Sequence, residues 1–344
     1  ALKNLIFICG SSRLLSSTVS QNPEYLRRLF FEGGLFESRD FNAFKSDIER
    51  LTGKSWSVEG MCKSLSVYRH REYLRIGSRD LLGISPVEEV TRELSDLASA
   101  ALDIAVEFAL SELKKRYGRP MCHDGDGPVK EAEFTVIGMG KLGGRELNFS
   151  SDIDILYIYS SDKGETEGVE KKESSRISLH AFFVKLSMMV NKLIGSVTED
   201  GIVFRIDLDL RPEGRGGDMA NSLRSAEIYY ESWGQSWERA AMIKARAVAG
   251  SPGLGEAFLS MIRPFVFRKY LDFTAIEEIK SMKERIDLSL LRRNSEAIDV
   301  KLGAGGIREI EFFCQDLQLI HGGRDADVRG ENTLKTIDRL LLKG

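Results

Sequence analysis

The sequence predicts an α+β fold in which a small mixed sheet lies between two helical regions. Residues 1–118 carry apolar side chains at helical spacing, and residues 134–210 contain β-branched or alternating runs that are typical of strands. From Ser225 onward the pattern is again mainly helical. We therefore divide the chain into an N-terminal helical region (1–118), a mixed core (119–222) and a C-terminal helical bundle (223–344).

Two helix starts support the N-terminal assignment. Ser57 has the position of an N-cap before a helix over residues 58–76. The run Ser85-Pro86-Val87-Glu88 combines a cap, a proline at the first helical position and an acid three residues after the cap. It predicts a long helix that ends at Gly118.

The central region changes to strand patterns. Strands are predicted over residues 134–138, 153–159 and 202–210, with a helix over 173–194 and a linker or exposed loop over 121–130. The later helices are predicted over residues 226–233, 236–245, 275–291 and 306–320.

Composition narrows the function classes. The 344 residues are 42% hydrophobic and 29% charged, which is ordinary for a soluble globular protein. A net charge of −3 supplies no global positive field, so nucleic acid is an unlikely partner. The apolar run 5–10 is too short to span a membrane. The four cysteines lie far apart without a zinc or disulfide pattern, which predicts free thiols in a reducing cytoplasm.

Acidic residues occur in pairs on two predicted strands. Residues two apart in a strand face the same side, so Asp152 and Asp154 point one way, and Asp207 and Asp209 share a face with Arg205. A lone Asp-x-Asp more often caps a turn or pairs with arginine. Two acid-bearing strands instead favour converging oxygen ligands, which Mg²⁺ or Mn²⁺ prefers when substrate phosphates complete the shell.

A glycine-rich turn precedes the first acidic pair. The run "GMGKLGG", residues 138–144, follows a predicted strand, and its glycines allow backbone N–H groups to approach a phosphate closely. It matches neither a Walker A loop nor a Rossmann fingerprint, because the glycine spacing differs from both. Alone, this cluster is weak evidence for a nucleotide site.

The longer stretch "GMGKLGGRELNFSSDIDI" resembles the signature of the glutamine synthetase adenylyltransferase/deadenylylase family. That family is one of the DNA polymerase β-like nucleotidyltransferases, whose pattern is Gly-Gly, a spacer, Asp-x-Asp and a third Asp on a later strand. The pattern falls here on Gly143, Gly144, Asp152, Asp154 and Asp207. "FRIDLDLRPEGRGG", "WERAAMIKARAVAG" and "GAGGIREIEFFCQDLQLIHGG" resemble the same family, so the likeness covers about residues 138–323.

The resemblance implies a polymerase β-like core and a set of site residues. Asp152, Asp154 and Asp207 would be both the catalytic residues and the ligands of Mg²⁺ or Mn²⁺. The residues implied to contact ADP or ATP are Gly143, Gly144, Arg145, Ser151, Arg211, Lys301, Gly305 and Gly306.

One position departs from the family pattern. Members usually read Val-Asp-Met/Leu-Arg-Leu-Arg-Pro, and this chain has Asp209 where the first Arg falls, while Arg211 keeps the second. Asp209 is either an additional metal ligand or a change that weakens a phosphate contact. The sequence leaves both interpretations open.

The resemblance also suggests a direction of reaction. Members are typically about twice this length and hold two catalytic halves; the N-terminal half removes adenylate from a tyrosine of glutamine synthetase, and the C-terminal half attaches it. A long helical region precedes the signature here, and "NFSSDIDI" resembles the N-terminal version. We therefore favour deadenylylation, in which phosphate attacks the adenylyl group and ADP leaves.

Four alternatives remain beside deadenylylation. They are adenylyl transfer from ATP to glutamine synthetase, nucleotidyl transfer to a metabolite or nucleic acid, a non-catalytic regulatory module, and an Asp-x-Asp glycosyltransferase, which would not explain Asp207. The resemblance implies glutamine synthetase and the signalling protein PII as partners.

Overall fold

The computed structural model describes residues 1–53, 57–123, 128–169, 175–269, 300–301 and 305–343. It confirms the predicted α+β class: helices precede and follow the strands of a small mixed sheet along the chain. The predicted helix over residues 275–291 lies outside the described residues.

The described part of the N-terminal region consists of helices joined by turns and loops. Its helices are α1 (Leu2–Ser11), α2 (Arg13–Gln21), α3 (Tyr25–Phe30), α4 (Phe41–Thr52), α5 (Val58–Leu81) and α6 (Val87–Tyr117), with a short 3-10 helix at Gly34–Phe36. The predicted cap of α5 is confirmed, because Ser57 Oγ accepts a hydrogen bond from the Gly60 N–H. The helix runs past residue 76 to Leu81.

The start of α6 differs in detail from the prediction. Pro86 is the N-cap residue rather than the first helical residue, and the buried hydroxyl of Ser85 makes no capping hydrogen bond. The acids Glu88 and Glu89 in the first turn still favour a helix start, since they face the positive end of the helix dipole. Gly118 ends the helix as predicted, with φ +77°.

The strands form two sheets. They are β1 (Pro120–Cys122), β2 (Lys130–Glu131), β3 (Phe134–Gly138), β4 (Ile153–Tyr159), β5 (Gly164–Thr166), β6 (Ile206–Asp207), β7 (Ala220–Ser222) and β8 (Arg246–Gly250). The larger sheet has the order β6-β4-β3-β8, and β7 also pairs with β4. It is mixed, because β3 is antiparallel to both of its neighbours whereas β6 and β7 run parallel to β4.

Several predicted boundaries need correction. The bounds of β3 and β4 are confirmed, but the strand predicted over 202–210 is reduced to β6. Asp207 Oδ1 accepts a hydrogen bond from the Asp209 N–H at 2.8 Å, a local turn that ends the extended segment. The predicted loop 121–130 begins and ends in strands, since Met121 pairs with Glu131.

The central helix α8 (Leu179–Gly195) begins later than predicted, where Ser178 caps it.

The large sheet lies between two helical layers. Phe134 and Tyr157 on one face pack in the core shared with α6 and α8. Ile137 and Leu156 on the other face pack with α9 (Leu223–Ser232), α10 (Ser236–Met242) and α11 (Pro252–Val266). Because the first core includes N-terminal helices, the helical region and the sheet are packed as one unit. The proposed domain boundaries at 118 and 222 stay a prediction.

The last described helices are α12 (Ile307–His321) and α13 (Thr333–Lys343), with further 3-10 turns at Gly214–Gly216 and Ala326–Val328. The four cysteines are free thiols. Within the described ranges, no helix has the combination of length and apolar content that crossing a lipid bilayer requires.

Candidate active site

The predicted carboxylates meet where β4 begins. β4 and β6 run in parallel, and their register places Asp154 directly beside Asp207. Asp152 immediately precedes β4, so it lies two residues from Asp154 in an extended segment. The structure therefore brings the acidic residues of two separate sequence motifs to one edge of the sheet.

The surroundings of Asp154 disfavour its ionised form. Burial raises the pKa of Asp154 to about 6, and the negative charges of Asp207 and Asp152 contribute to the rise. The positive charge of Lys301 acts in the opposite direction. A half-buried carboxyl group beside two other acids is destabilised when ionised, and a bound cation would relieve that repulsion.

Asp152 is paired with an arginine. Its Oδ1 accepts a hydrogen bond from Arg205 Nε, while Arg205 Nη2 donates to the Ser150 carbonyl at 2.8 Å. Among the described residues, no three His, Cys, Asp or Glu side chains are arranged to hold a metal ion as they stand. The side chains present nevertheless fit Mg²⁺ or Mn²⁺, because the adjacent Asp154 and Asp207 provide the carboxylate oxygens that these ions prefer. Asp152 would provide further carboxylate oxygens if Arg205 moved away from it.

Gly140 lies beside Asp154, and it was not predicted to be a site residue. Its φ is +49°, and a Cβ atom at this position would lie 2.7 Å from Asp154 Oδ2. The preceding Met139 N–H donates to the Asp154 carbonyl at 2.8 Å. Gly140 belongs to the run "GMGKLGG", but only Gly143 and Gly144 of this run match the Gly-Gly element of the family pattern.

Gly143 and Gly144 are packed closely against other parts of the chain. They lie at the end of the short helix α7 (Gly140–Gly143), and their N–H groups donate to the carbonyls of Met139 and Gly140. A Cβ atom on Gly143 would lie 1.8 Å from the Lys244 carbonyl oxygen, and one on Gly144 would lie 2.7 Å from the Glu331 carbonyl oxygen. These two N–H groups are engaged within the chain, and the predicted contact of both glycines with the nucleotide stays a prediction.

Arg145 and Ser151 also have partners within the chain. Arg145 Nη1 donates to Asp96 Oδ1 of α6 at 2.9 Å, and the residue has an unusual positive φ of +56°. Ser151 Oγ donates to the Asn148 side-chain oxygen. The predicted nucleotide contacts of both residues stay predictions.

Arg211 holds the glycine-rich loop that follows β6. Its guanidinium donates to three backbone carbonyls, those of Leu208, Arg215 and Gly217, at 2.9–3.1 Å. Asp209, the residue that departs from the family pattern, forms an exposed ion pair with Arg215 at 2.8 Å. The arginines of this segment therefore bind within the loop, and the two interpretations of Asp209 remain open.

The remaining residues predicted to contact the nucleotide, Lys301, Gly305 and Gly306, lie at or just before the start of α12. Gly306 is the N-cap residue of this helix, and the Gly305 N–H donates to Glu309 Oε2 at 2.6 Å. Lys301 is near enough to Asp154 to oppose the rise of its pKa. Residues 302–304, between Lys301 and Gly305, lie outside the described part of the chain.

Lys244 is a second residue that the sequence analysis missed. Its buried ammonium donates to Glu146 Oε2 at 2.7 Å, Glu311 Oε1 at 2.8 Å and Thr333 Oγ1 at 2.9 Å. These contacts join the turn after α7 to α12 and α13. The sequence feature that could have predicted this role is a lysine within the largely apolar run "AAMIKARAVAG", since a buried lysine needs acidic partners.

Two family models match parts of the chain. The family model described as glutamate-ammonia ligase adenylyltransferase matches residues 2–261, and one described as GlnD PII-uridylyltransferase matches residues 278–344. The first match covers both acidic strands and the helices before them.

Two curated relatives are similar to nearly the whole chain. The proteins from Nitrosococcus oceani and Pseudomonas aeruginosa are 40% and 42% identical over 340 and 337 residues, each covering 98% of this chain. Both are named bifunctional glutamine synthetase adenylyltransferase/adenylyl-removing enzyme. The matched part is 34% and 33% of the relatives, so the chain spans about a third of their length rather than the expected half. The chain belongs to the glutamate-ammonia ligase adenylyltransferase family.

Proposed function

We propose that the chain carries a nucleotidyl-transfer site that removes AMP from an adenylylated tyrosine of glutamine synthetase by phosphorolysis. The observation that carries this proposal is the parallel pairing of β4 with β6, which sets Asp154 beside Asp207. The relatives' name, which includes an adenylyl-removing activity, supports this class of substrate.

The proposed reaction is an exchange at one phosphorus atom. A phosphate oxygen attacks the α-phosphorus of adenylyl-tyrosine, the bond from phosphorus to the phenolic oxygen breaks, and ADP and tyrosine are formed. The phenol has an ordinary pKa near 10, so it leaves more readily than an alkyl alcohol. Phosphate is already anionic at neutral pH, so a strong general base is not required.

The carboxylates would hold one or more divalent cations. Such an ion, when bound, stabilises the negative charge that develops on the attacking and leaving oxygens. Asp154 and Asp207 are the proposed ligands, with Asp152 joining them when Arg205 releases it. Gly140 leaves space beside Asp154 that a side chain would fill. Lys301 adds a positive charge that opposes the rise in the pKa of Asp154.

The test is incubation of the chain with adenylylated glutamine synthetase, phosphate and Mg²⁺, with ADP and the freed tyrosine quantified. We expect ADP to form, and Asp154→Asn to slow its formation at least about a hundredfold, because loss of even an outer-shell partner of a metal costs 10–100-fold. Asp218→Asn, at an exposed aspartate before β7, is the matched control and should retain the rate.

Other outcomes separate the alternatives. Pyrophosphate formed from ATP and unmodified glutamine synthetase, without ADP from the adenylylated form, would reverse the direction of the reaction. No turnover in either assay would favour a regulatory module. The proposed dependence on PII is tested by adding that protein to the same reactions.

A further inference from the structure

Two neighbouring cavities lie away from the carboxylates, and Arg145 and Arg246 line both of them. The larger, of about 900 Å³, lies between α4, α6 and the edge strand β8. The smaller, of about 570 Å³, is bounded by the start of α6, the turn at 143–145 and residues 330–339. Both volumes are in the range of small-molecule sites.

Arg246 is a partly buried cation without a carboxylate partner. Its Nε and Nη2 donate to the carbonyls of Gly143 and Leu142 at 3.1 and 3.0 Å. In the part of the chain that the structure describes, no acidic side chain lies within ion-pair distance of it. Burial and the positive charge of Arg145 together lower the pKa of Arg246 to about 10, although the negative charges of Asp96 and Glu331 act in the opposite direction. Two guanidinium groups therefore repel one another at the junction of the cavities.

The nearest acid does not balance these charges. Asp96 is buried, and its carboxylate is shared between Arg145 at 2.9 Å and Arg92 at 3.6 Å. Two guanidinium groups thus share one carboxylate, which acts on Arg246 only from beyond ion-pair distance. The remaining charge favours an anionic ligand.

The smaller cavity extends this positive charge to its rim. Its charged lining consists of five cations and three acids: Arg92, Arg145, Arg246, Lys335 and Arg339 against Glu88, Glu89 and Glu331. Glu89 is already bound to Arg79 at 2.6 Å, so its charge is offset elsewhere. Because Arg145 is likewise offset by Asp96, the excess in the smaller cavity is two positive charges, which suits an anion. The larger cavity has five acids against three cations in its lining, so the excess is confined to the smaller one.

This junction lies on the opposite layer of the sheet from the carboxylates. Along β4, Asp154 alternates with Ile153 and Ile155, which pack in the core shared with α6. Asp154 therefore shares the other face with Leu156, which packs with the C-terminal helices. Arg145, by contrast, points to Asp96 on α6.

We propose that the Arg145–Arg246 junction binds a small oxyanion, a phosphate or a carboxylate compound, at a site separate from the catalytic carboxylates. Guanidinium groups bind such planar or tetrahedral oxyanions through paired hydrogen bonds. A ligand there contacts α6, the turn that leads to Asp152, and α13 together. The inference goes beyond the proposed function and does not depend on it.

The test is isothermal titration of the chain with inorganic phosphate and, separately, with succinate, in EDTA at constant ionic strength. We expect saturable binding of at least one of them, and the comparison tells whether phosphate or carboxylate is preferred. Arg145→Met should weaken binding at least tenfold, because a charged hydrogen bond contributes about 1.5–3 kcal/mol. The double variant Lys335→Met/Arg339→Met changes exposed positions at the rim of the smaller cavity and should weaken anion binding at least threefold. This variant tests the site even if Arg145→Met fails to fold.

Two controls complete the experiment. Lys185→Met/Arg263→Met removes the same charge from other surfaces and should leave the affinity unchanged. Asp154→Asn should also leave it unchanged, which separates this site from the catalytic proposal. Absence of saturable binding for both anions, or binding that is insensitive to the Arg145 and the Lys335/Arg339 variants, would overturn the inference.

Discussion

At the scale of single residues, contacts that are distant in sequence decide what each motif residue does. Arg205, which was predicted to share a strand face with Asp207, pairs with Asp152, 53 positions away. Gly143 and Gly144, whose predicted contact with a phosphate stays a prediction, lie against the backbone of Lys244 and Glu331. The motif predicted which segments lie near one another, but the contact partner of each side chain depended on the tertiary structure.

Gly143→Ala tests the packing role of the Gly-Gly pair. The added methyl would lie 1.8 Å from the Lys244 carbonyl oxygen, so the backbone must shift. We expect a loss of about 2–3 kcal/mol in the free energy of unfolding, as in overpacked cores. Urea unfolding followed by circular dichroism measures it.

The matched control is Gly216→Ala, where a Cβ atom meets nothing within 4 Å. It should change the stability by less than about 0.5 kcal/mol. Equal stability of the two variants would show that the turn accepts a side chain and that Gly143 is kept for another reason.

At the scale of elements, the N-terminal helices are joined by a buried ionic network. Arg75 of α5 donates to Glu72 Oε2 and to Glu93 Oε2 of α6, both at 2.6 Å. Glu93 Oε1 accepts the Arg39 N–H at 2.9 Å. Each of these side chains is at most 5% exposed, so their charges depend on one another.

Glu93→Gln should therefore destabilise the protein by about 3 kcal/mol, because it leaves Arg75 buried with an incomplete set of acids. Thermal and urea unfolding measure the change. Glu199→Gln removes the same charge at an exposed position and should be nearly neutral. A loss below about 1 kcal/mol for Glu93→Gln would mean that water or a neighbouring acid replaces the missing charge.

Element types were more predictable than their ends. The β-branched and aromatic composition of β3 and β4 sufficed to predict their bounds, and Ser57 sufficed for the start of α5. β8 was not predicted, since its alanine-rich sequence has little strand propensity and it forms by pairing with β3. β6 is shorter than its alternation suggests because the Asp207 side chain binds the Asp209 N–H.

At the scale of the whole molecule, the carboxylate site should couple metal binding to stability. An ion that binds only the folded chain stabilises it by about 2.7 kcal/mol at a hundredfold excess over Kd. We expect Mg²⁺ to raise the Tm relative to EDTA by several degrees, and the double variant Asp154→Asn/Asp207→Asn to abolish the rise. A rise of equal size in the double variant would place the ion elsewhere.

The sequence by itself determined the α+β class, the family resemblance and the identity of the three principal acids. Such features follow from local periodicity and from motif spacing, which are properties of the linear chain. Only the tertiary structure decided that Gly140, rather than Gly143 or Gly144, faces Asp154, that Lys244 joins the core to the last helices, and that Arg145 faces α6. These contacts join segments far apart in sequence, and packing selects among partners that the sequence leaves equivalent.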